Sequence, residues 1–198
     1  MMNTMLKLTV GYLVCFALYS FSIHPQEKSA IVKSVDYELM EIKKNDRSRI
    51  ASVTLTINAS IEQVWSVLTQ IKKYSEWNPF VYHIQSDQDI PSTDSKMLFS
   101  VRFESGKETK SKEIVTKFTP PVNQKDFALW SYRFGGFVHG INMIRAHRVQ
   151  TLRALLDGST EYSSTEVFTG WGRSFVPLED VQKGFEAQGA ALKEECEK

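Results

Sequence analysis

His147, Glu166 and Tyr132 supply an imidazole, a carboxylate and a phenol in three stretches that alternate as strands do. That trio suits enol chemistry on a carbonyl compound, which needs a base and a proton donor within hydrogen-bond reach. Glu166 or His147 would be the base and Tyr132 the donor. The strand period of two fixes which neighbours share a face. A Phe168 turned inward brings Tyr162, Ser164 and Glu166 with it. Trp130 brings Tyr132 and Phe134, and His147 travels with Val149 and Thr151. The same residues fit plain binding, because small-molecule sites place a few polar groups in an apolar wall. They also fit a purely structural role, with His147 as a hydrogen-bonded rim residue and Glu166 paired with Arg145 or Arg148. This spacing is no known catalytic signature, so His147, Glu166 and Tyr132 stand as candidates only.

Aromatic side chains would make the wall of such a site. Trp130, Phe134 and Phe168 lie on the alternating stretches, and Phe185 lies on a late helical stripe. Trp77 and Phe80 are core residues by type and can touch a ligand from the core side. Trp171 stands in Gly170-Trp171-Gly172-Arg173, where glycines on both sides free the backbone. It reads equally as a lid or as a tryptophan packed on a rim. No pair of cysteines or histidines has zinc-ligand spacing, so no metal is expected, and no cofactor either.

The elements that must hold these groups are legible around residues 60–80. Ser60 is a good N-cap, and Gln63, three residues on, can complete a capping box. Ile61, Val64, Trp65, Leu68 and Ile71 recur at helical spacing. Asn78-Pro79 ends helical structure, since the residue before proline is pushed out of the α region. Strands are predicted over 52–58, 80–86, 96–104, 109–118, 127–134, 142–152 and 161–169. Ser105-Gly106, Thr119-Pro120-Pro121, Gly135-Gly136 and Asp157-Gly158 mark turns between them. A helix over 180–197 closes the chain, with Gly184 and Gly189 inside it, where each costs about 1 kcal/mol relative to alanine. Serial antiparallel strands with one terminal helix make an α+β fold.

The chain has 198 residues and a net charge of +1, so no broad field favours nucleic acid, and no nucleic-acid motif is present. Lys107, Lys110, Lys112 and Lys117 interleave with Glu104, Glu108 and Glu113, which reads as a solvated strand face. Residues 8–21 are almost wholly apolar, follow Lys7, and run into Ser20-Phe21-Ser22. That length suits a signal peptide over 1–22 better than a spanning helix, which needs about 20 residues. The alternative is an uncleaved anchor, the only membrane contact expected. A polar extension over 23–49 then leads to the packed domain, 50–198, expected as a monomer.

Several strings, in this order, resemble the START-like (SRPBCC) superfamily and, within it, the polyketide cyclase/dehydrase group. They are Ile57-Asn58-Ala59-Ser60 with Val64-Trp65, Trp77-Asn78-Pro79-Phe80, His147-Arg148, and Asp157-Gly158-Ser159-Thr160. Thr165-Glu166-Val167-Phe168-Thr169-Gly170 and Gly184-Phe185-Glu186-Ala187 follow. One departure is Gln188-Gly189, which stands where a Met-Asn pair is common in the group. The resemblance implies a helix-grip fold, a curved antiparallel sheet around the long C-terminal helix with an internal apolar pocket. It implies a small hydrophobic ligand, lipid or polyketide-like. A cyclase or dehydratase in the same cavity, or a protein-interaction module, are the alternatives.

If the N-terminal run is a signal, the exported protein begins near Ile23 and lies outside the cytoplasm. N-terminal sequencing that still finds Met1 would leave the membrane anchor in its place.

Overall fold

The computed structural model describes residues 48–121 and 126–198. The expected signal or anchor and all but the end of the polar extension lie outside the described residues.

Seven strands form one antiparallel sheet: β1 (Arg49–Ile57), β2 (Val81–Ser86), β3 (Lys96–Arg102), β4 (Glu108–Thr119), β5 (Phe127–Phe134), β6 (Arg145–Ala154) and β7 (Thr160–Thr169). Their order is β1-β7-β6-β5-β4-β3-β2, so β1 crosses over to pair with β7. Four helices accompany them: α1 (Ile61–Thr69), α2 (Tyr74–Trp77), α3 (Phe137–Gly140) and α4 (Leu178–Cys196). The α+β class expected from the strand pattern is therefore what the chain adopts. The β6 strand starts later than its alternation suggested. Phe137–Gly140 makes a helical turn first, and Asn142 takes a left-handed φ of 56°.

One side of the sheet is lined by Ala51, Ile57, Met97, Phe99, Val115, Trp130, Leu152, Tyr162 and Phe168. Against them pack Val64, Trp65 and Leu68 of α1, and Val181, Phe185 and Leu192 of α4, in one continuous core. Burial on this scale is the main favourable term in folding. The smaller Leu129–Val149 cluster, with Phe127 against it, belongs to the opposite face of the same strands.

Local chemistry sets the corners. Ser60 Oγ accepts from the Gln63 N–H at 3.2 Å, so it caps α1 as expected. The reciprocal half of the capping box does not form. Gln63 Nε2 instead donates to the Cys196 carbonyl at 2.8 Å and ties α1 to the end of α4. Past α2, Asn78 Oδ1 accepts from the N–H groups of both Phe80 and Val81 and turns the chain into β2.

The glycines inside α4 have a packing cause. A Cβ on Gly184 would lie 2.3 Å from the Phe80 ring, and one on Gly189 would lie 2.6 Å from Leu55 Cδ2. Both let the helix lie closer to the sheet than any side chain allows, which offsets their helix cost.

Ser60→Ala is expected to cost about 1 kcal/mol by losing the cap. Gly184→Ala should cost about 1–3 kcal/mol despite its better helix propensity, because the packed Phe80 ring must move. Denaturant midpoints of the two variants check both. An unchanged midpoint for Gly184→Ala would mean that Phe80 has room to give.

Candidate functional site

Polar side chains gather on the core face where β5, β6 and β7 lie side by side. Register places Tyr132 opposite Arg148, and Arg148 opposite Glu166. One pair further along, Trp130 faces Gln150, and Gln150 faces Ser164. On the other flank, Glu113 of β4 faces Phe134.

Arg148 is the centre of this group. It is 3% exposed, too little to be hydrated like a surface arginine. Its Nε donates to Ser164 Oγ at 2.9 Å, and its Nη2 donates to Gln188 Oε1 of α4 at 3.2 Å. Its guanidinium carbon stands 3.8 Å from the centre of the Phe185 ring, a cation–π contact in a desolvated place. Burial pulls the Arg148 pKa down, but Tyr132, Tyr162 and Glu166 push it up further, and the net shift is upward. Arginine therefore keeps its charge inside the core.

Two carboxyl groups share this interior. Burial raises Glu166 from the usual 4.5 to about 7, with Arg148 opposing the rise. Burial, then the nearby Glu166, raises Glu113 to about 8, against a hydrogen bond from Ser111 and the charge of Arg148. Glu166 itself is half-buried on the core side of β7. Burial also raises Tyr132, which stays a protonated donor at any physiological pH. Tyr162, raised by burial too, donates to Gln150 Oε1 at 2.7 Å.

Two donors here lack a partner. Trp130 Nε1 and Gln150 Nε2 are buried with no acceptor in reach, and they belong to residues paired across β5 and β6. Trp77 Nε1 and Asn78 Nδ2 are in the same condition near α2. Buried N–H groups without acceptors are uncommon and costly, so each calls for a water or a ligand oxygen.

Space is found at the margins of the concavity. A cleft of about 740 Å³ opens between α4 and the β3–β4 hairpin, lined by Phe80, Phe103, Lys183, Gly184 and Ala187 among others. A second, of about 540 Å³, lies over Met97, Lys112, Glu113 and Gly135. The centre is occupied by the fully buried Trp130, Tyr162 and Phe185. Phe80 borders the first cleft and packs edge-on to Phe185 at 6.0 Å, so one ring separates the cleft from the arginine site.

Of the residues predicted for the site, Tyr132, Glu166, Trp130, Phe134, Phe168 and Phe185 share the core side. Phe80 is buried, and Trp77 is half-buried beside Tyr74. His147 is a correction. It stands on the opposite face, where its Nε2 meets Thr116 Oγ1 at 3.1 Å, with Ser131 Oγ 2.7 Å beyond. The residue that turns inward on β6 is Arg148. A base, carboxylate and phenol converging through His147 is thereby excluded. Trp171 is 62% exposed and far from the interior group. Glu113 is the second correction, since the lysine-rich run that hid it is solvated and it is not. The sequence offers Arg148 as a counter-ion for Glu166 and as part of the His147-Arg148 string, and it carries no signal that marks Glu113 or Gln150 as a site residue. Among the described residues no group of three or more metal-binding side chains converges.

With this geometry the class is clear. The chain belongs to the polyketide cyclase/dehydrase and lipid transport family, whose sequence profile matches residues 49–197. Its fold is START-like. A hypothetical protein from Helicobacter pylori superposes with a TM-score of 0.61 at 11% identity, over 75% of this chain and 88% of that one. A START superfamily protein from Mycobacterium smegmatis gives 0.55 at 17%, over 75% and 97%. An aromatase/cyclase from a Streptomyces species gives 0.56 at 16%, over 76% and 94%. At such identities the likeness is one of fold. No curated protein sequence matches the chain.

The raised carboxyls set a sign for stability against pH. Both bind protons more tightly folded than unfolded, so stability falls as pH rises from about 4.5 through about 8. A shift the size of that of Glu166 corresponds to on the order of 3 kcal/mol. Denaturant titrations should place the midpoint higher at pH 5 than at pH 8.5. Glu166→Gln should flatten that slope, and a midpoint that rises with pH would contradict the assignment.

Proposed function

We propose that this domain binds a small, mostly apolar ligand that carries an acceptor oxygen, and that the oxygen is held beside Arg148. The observation that carries the reading is the facing pair of unpartnered donors, Trp130 Nε1 and Gln150 Nε2, next to a buried guanidinium. An interior with one permanent positive charge and two carboxyls raised toward neutrality favours a carbonyl, carboxylate or enolate oxygen over a cationic group. The surrounding Phe99, Trp130, Phe185 and Leu152 favour hydrocarbon or aromatic rings. Family membership supports a hydrophobic ligand of lipid or polyketide type. Entry would run through the 740 Å³ cleft, past Phe80.

Trp130→Phe separates polar from apolar recognition. It deletes one donor that has no acceptor in the protein, but it also trims a fully buried ring, so stability should fall by about 1–2 kcal/mol with the fold retained. Uptake of a fluorescent fatty acid or long-chain ketone should weaken about tenfold, while uptake of a hydrocarbon probe should hold. Equal loss for both probes would show that Trp130 acts through its bulk alone.

A second reading is acid–base catalysis on an enolisable ligand, favoured by the Glu166 pKa of about 7 beside Tyr132 and Arg148. On that reading Glu166→Gln lowers turnover of an enolisable ketone by about 10²–10⁴-fold with binding intact. In the cell, the apolar run over 8–21 and Ser20-Phe21-Ser22 support an exported or membrane-tethered protein, with residues 1–22 as signal or anchor and 23–49 as a tether.

A further inference from the structure

We propose that the tip formed by the β5–β6 loop and the β7–α4 loop docks on the surface of an anionic lipid bilayer. Four large apolar side chains stand out from these two loops: Phe137 at 79% exposure, Ile141 at 46%, Trp171 at 62% and Phe175 at 71%. Among the described residues only Ile90 and Leu156 are comparable, each alone on a separate loop. Single exposed hydrophobes are ordinary on protein surfaces, but four gathered on adjoining loops are not.

The loops form one fixed platform. The Trp171 N–H donates to the Asn142 carbonyl at 3.3 Å, and the Gly172 N–H donates to the Met143 carbonyl at 2.8 Å. Trp171 Nε1 donates to the Ile141 carbonyl at 3.4 Å, so the indole has its polar atom satisfied while its rings face water. Gly170 makes the approach possible. It holds φ at 96°, and a Cβ there would sit 2.5 Å from the Met143 oxygen. These contacts hold Trp171 outward rather than leaving it free to fold over the core. An indole with an apolar body and a satisfied N–H suits the boundary between headgroups and acyl chains.

The charge around the platform selects the occupant. Residues 135–145 and 170–177 contain no Asp or Glu. They carry Arg145, which is exposed, and Arg173, and the exposed Lys112 lies beside Gly136. Glu179 and Asp180 begin α4 behind the tip, and the acids Asp87 and Glu113 line the pocket beside Gly135 and Gly136. Apolar side chains flanked by Arg145, Arg173 and Lys112 match an interface rich in anionic lipid, and each cation near such a surface adds to the attraction.

The position of the tip in the chain points the same way. Residue 48, where the described domain starts, precedes Arg49, whose Nη1 donates to the carbonyls of Arg173, Ser174 and Val176 in the same loop. The upstream segment with the apolar run over 8–21 therefore joins the domain at this tip. The 740 Å³ cleft lies further along α4, at Lys183–Ala190, so a docked tip would bring the cleft toward lipid. The docking itself does not depend on any ligand inside.

Trp171 reports on the tip directly, whatever else binds. The full chain and its Trp171→Phe variant are mixed with phosphatidylcholine vesicles, with and without phosphatidylglycerol, and the difference in their fluorescence isolates Trp171. Docking predicts that brominated acyl chains quench this component, that its emission shifts to the blue, and that acrylamide quenching falls several-fold. Phosphatidylglycerol should strengthen all three effects, and Arg145→Glu with Arg173→Glu should remove that dependence. Phe137→Ser with Phe175→Ser should abolish the bromine quenching, with unchanged circular dichroism confirming the fold. A Trp171 that stays equally open to acrylamide on vesicle-bound protein would overturn the proposal. So would protection that appears without vesicles and grows with protein concentration, which would give the tip to a second copy of the chain.

Discussion

The interior depends on keeping one guanidinium ionised away from water. A buried charge costs several kcal/mol unless its hydrogen-bonding groups are met and its charge is answered. Arg148 draws three partners from two elements: Ser164 from β7, and Gln188 and the Phe185 ring from α4. These contacts fix α4 against the sheet at one rotation and one depth. The glycines of α4 follow from that depth, since the helix reaches Gln188 and Phe185 to Arg148 only by passing Phe80 and Leu55 without a Cβ. The Gln188-Gly189 pair, a departure from the usual pattern of the group, is thus explained by two contacts, one polar and one steric.

The same charge organises the titrating groups. Glu166 lies opposite Arg148 and still titrates near neutrality, because burial outweighs the attraction. Glu113 is higher still because Glu166 stands near it. At neutral pH the interior has a full positive charge and only part of a compensating negative one. Such a site is electrostatically incomplete, and the acceptor oxygen proposed for the ligand would complete it. The unpartnered donors of Trp130 and Gln150 ask for the same thing by a different route.

Where the sequence carried a clear period, it was legible. Ile61, Val64, Trp65 and Leu68 form the buried stripe of α1, and all seven strands fall within a few residues of the turns that bound them. The family strings added the helix-grip arrangement, which periodicity alone does not supply. The side-chain direction on β6 was not legible. Val149 is 3% exposed on one face and Leu152 is 0% exposed on the other, so alternation there has no polar side to give the phase. Alternation alone therefore does not tell whether His147 or Arg148 turns inward. Glu113 was hidden for the opposite reason. It sits among lysines that are solvated, and only its register with Met97 and Phe134 brings it inside. Gln63 kept its capping position but spent its side chain on Cys196, a partner 133 residues away that no local motif announces.

The proposed ligand oxygen sits between Trp130, Gln150 and Arg148. Nitrogen-15 NMR of the indole and guanidinium N–H groups during titration with a carbonyl-13C fatty acid or ketone tests it most directly. With the oxygen in that place, the Trp130 Nε1–H and Arg148 Nε–H signals should move together and saturably, with the labelled carbonyl shifting in step. Saturable binding that leaves both signals where they were would contradict it.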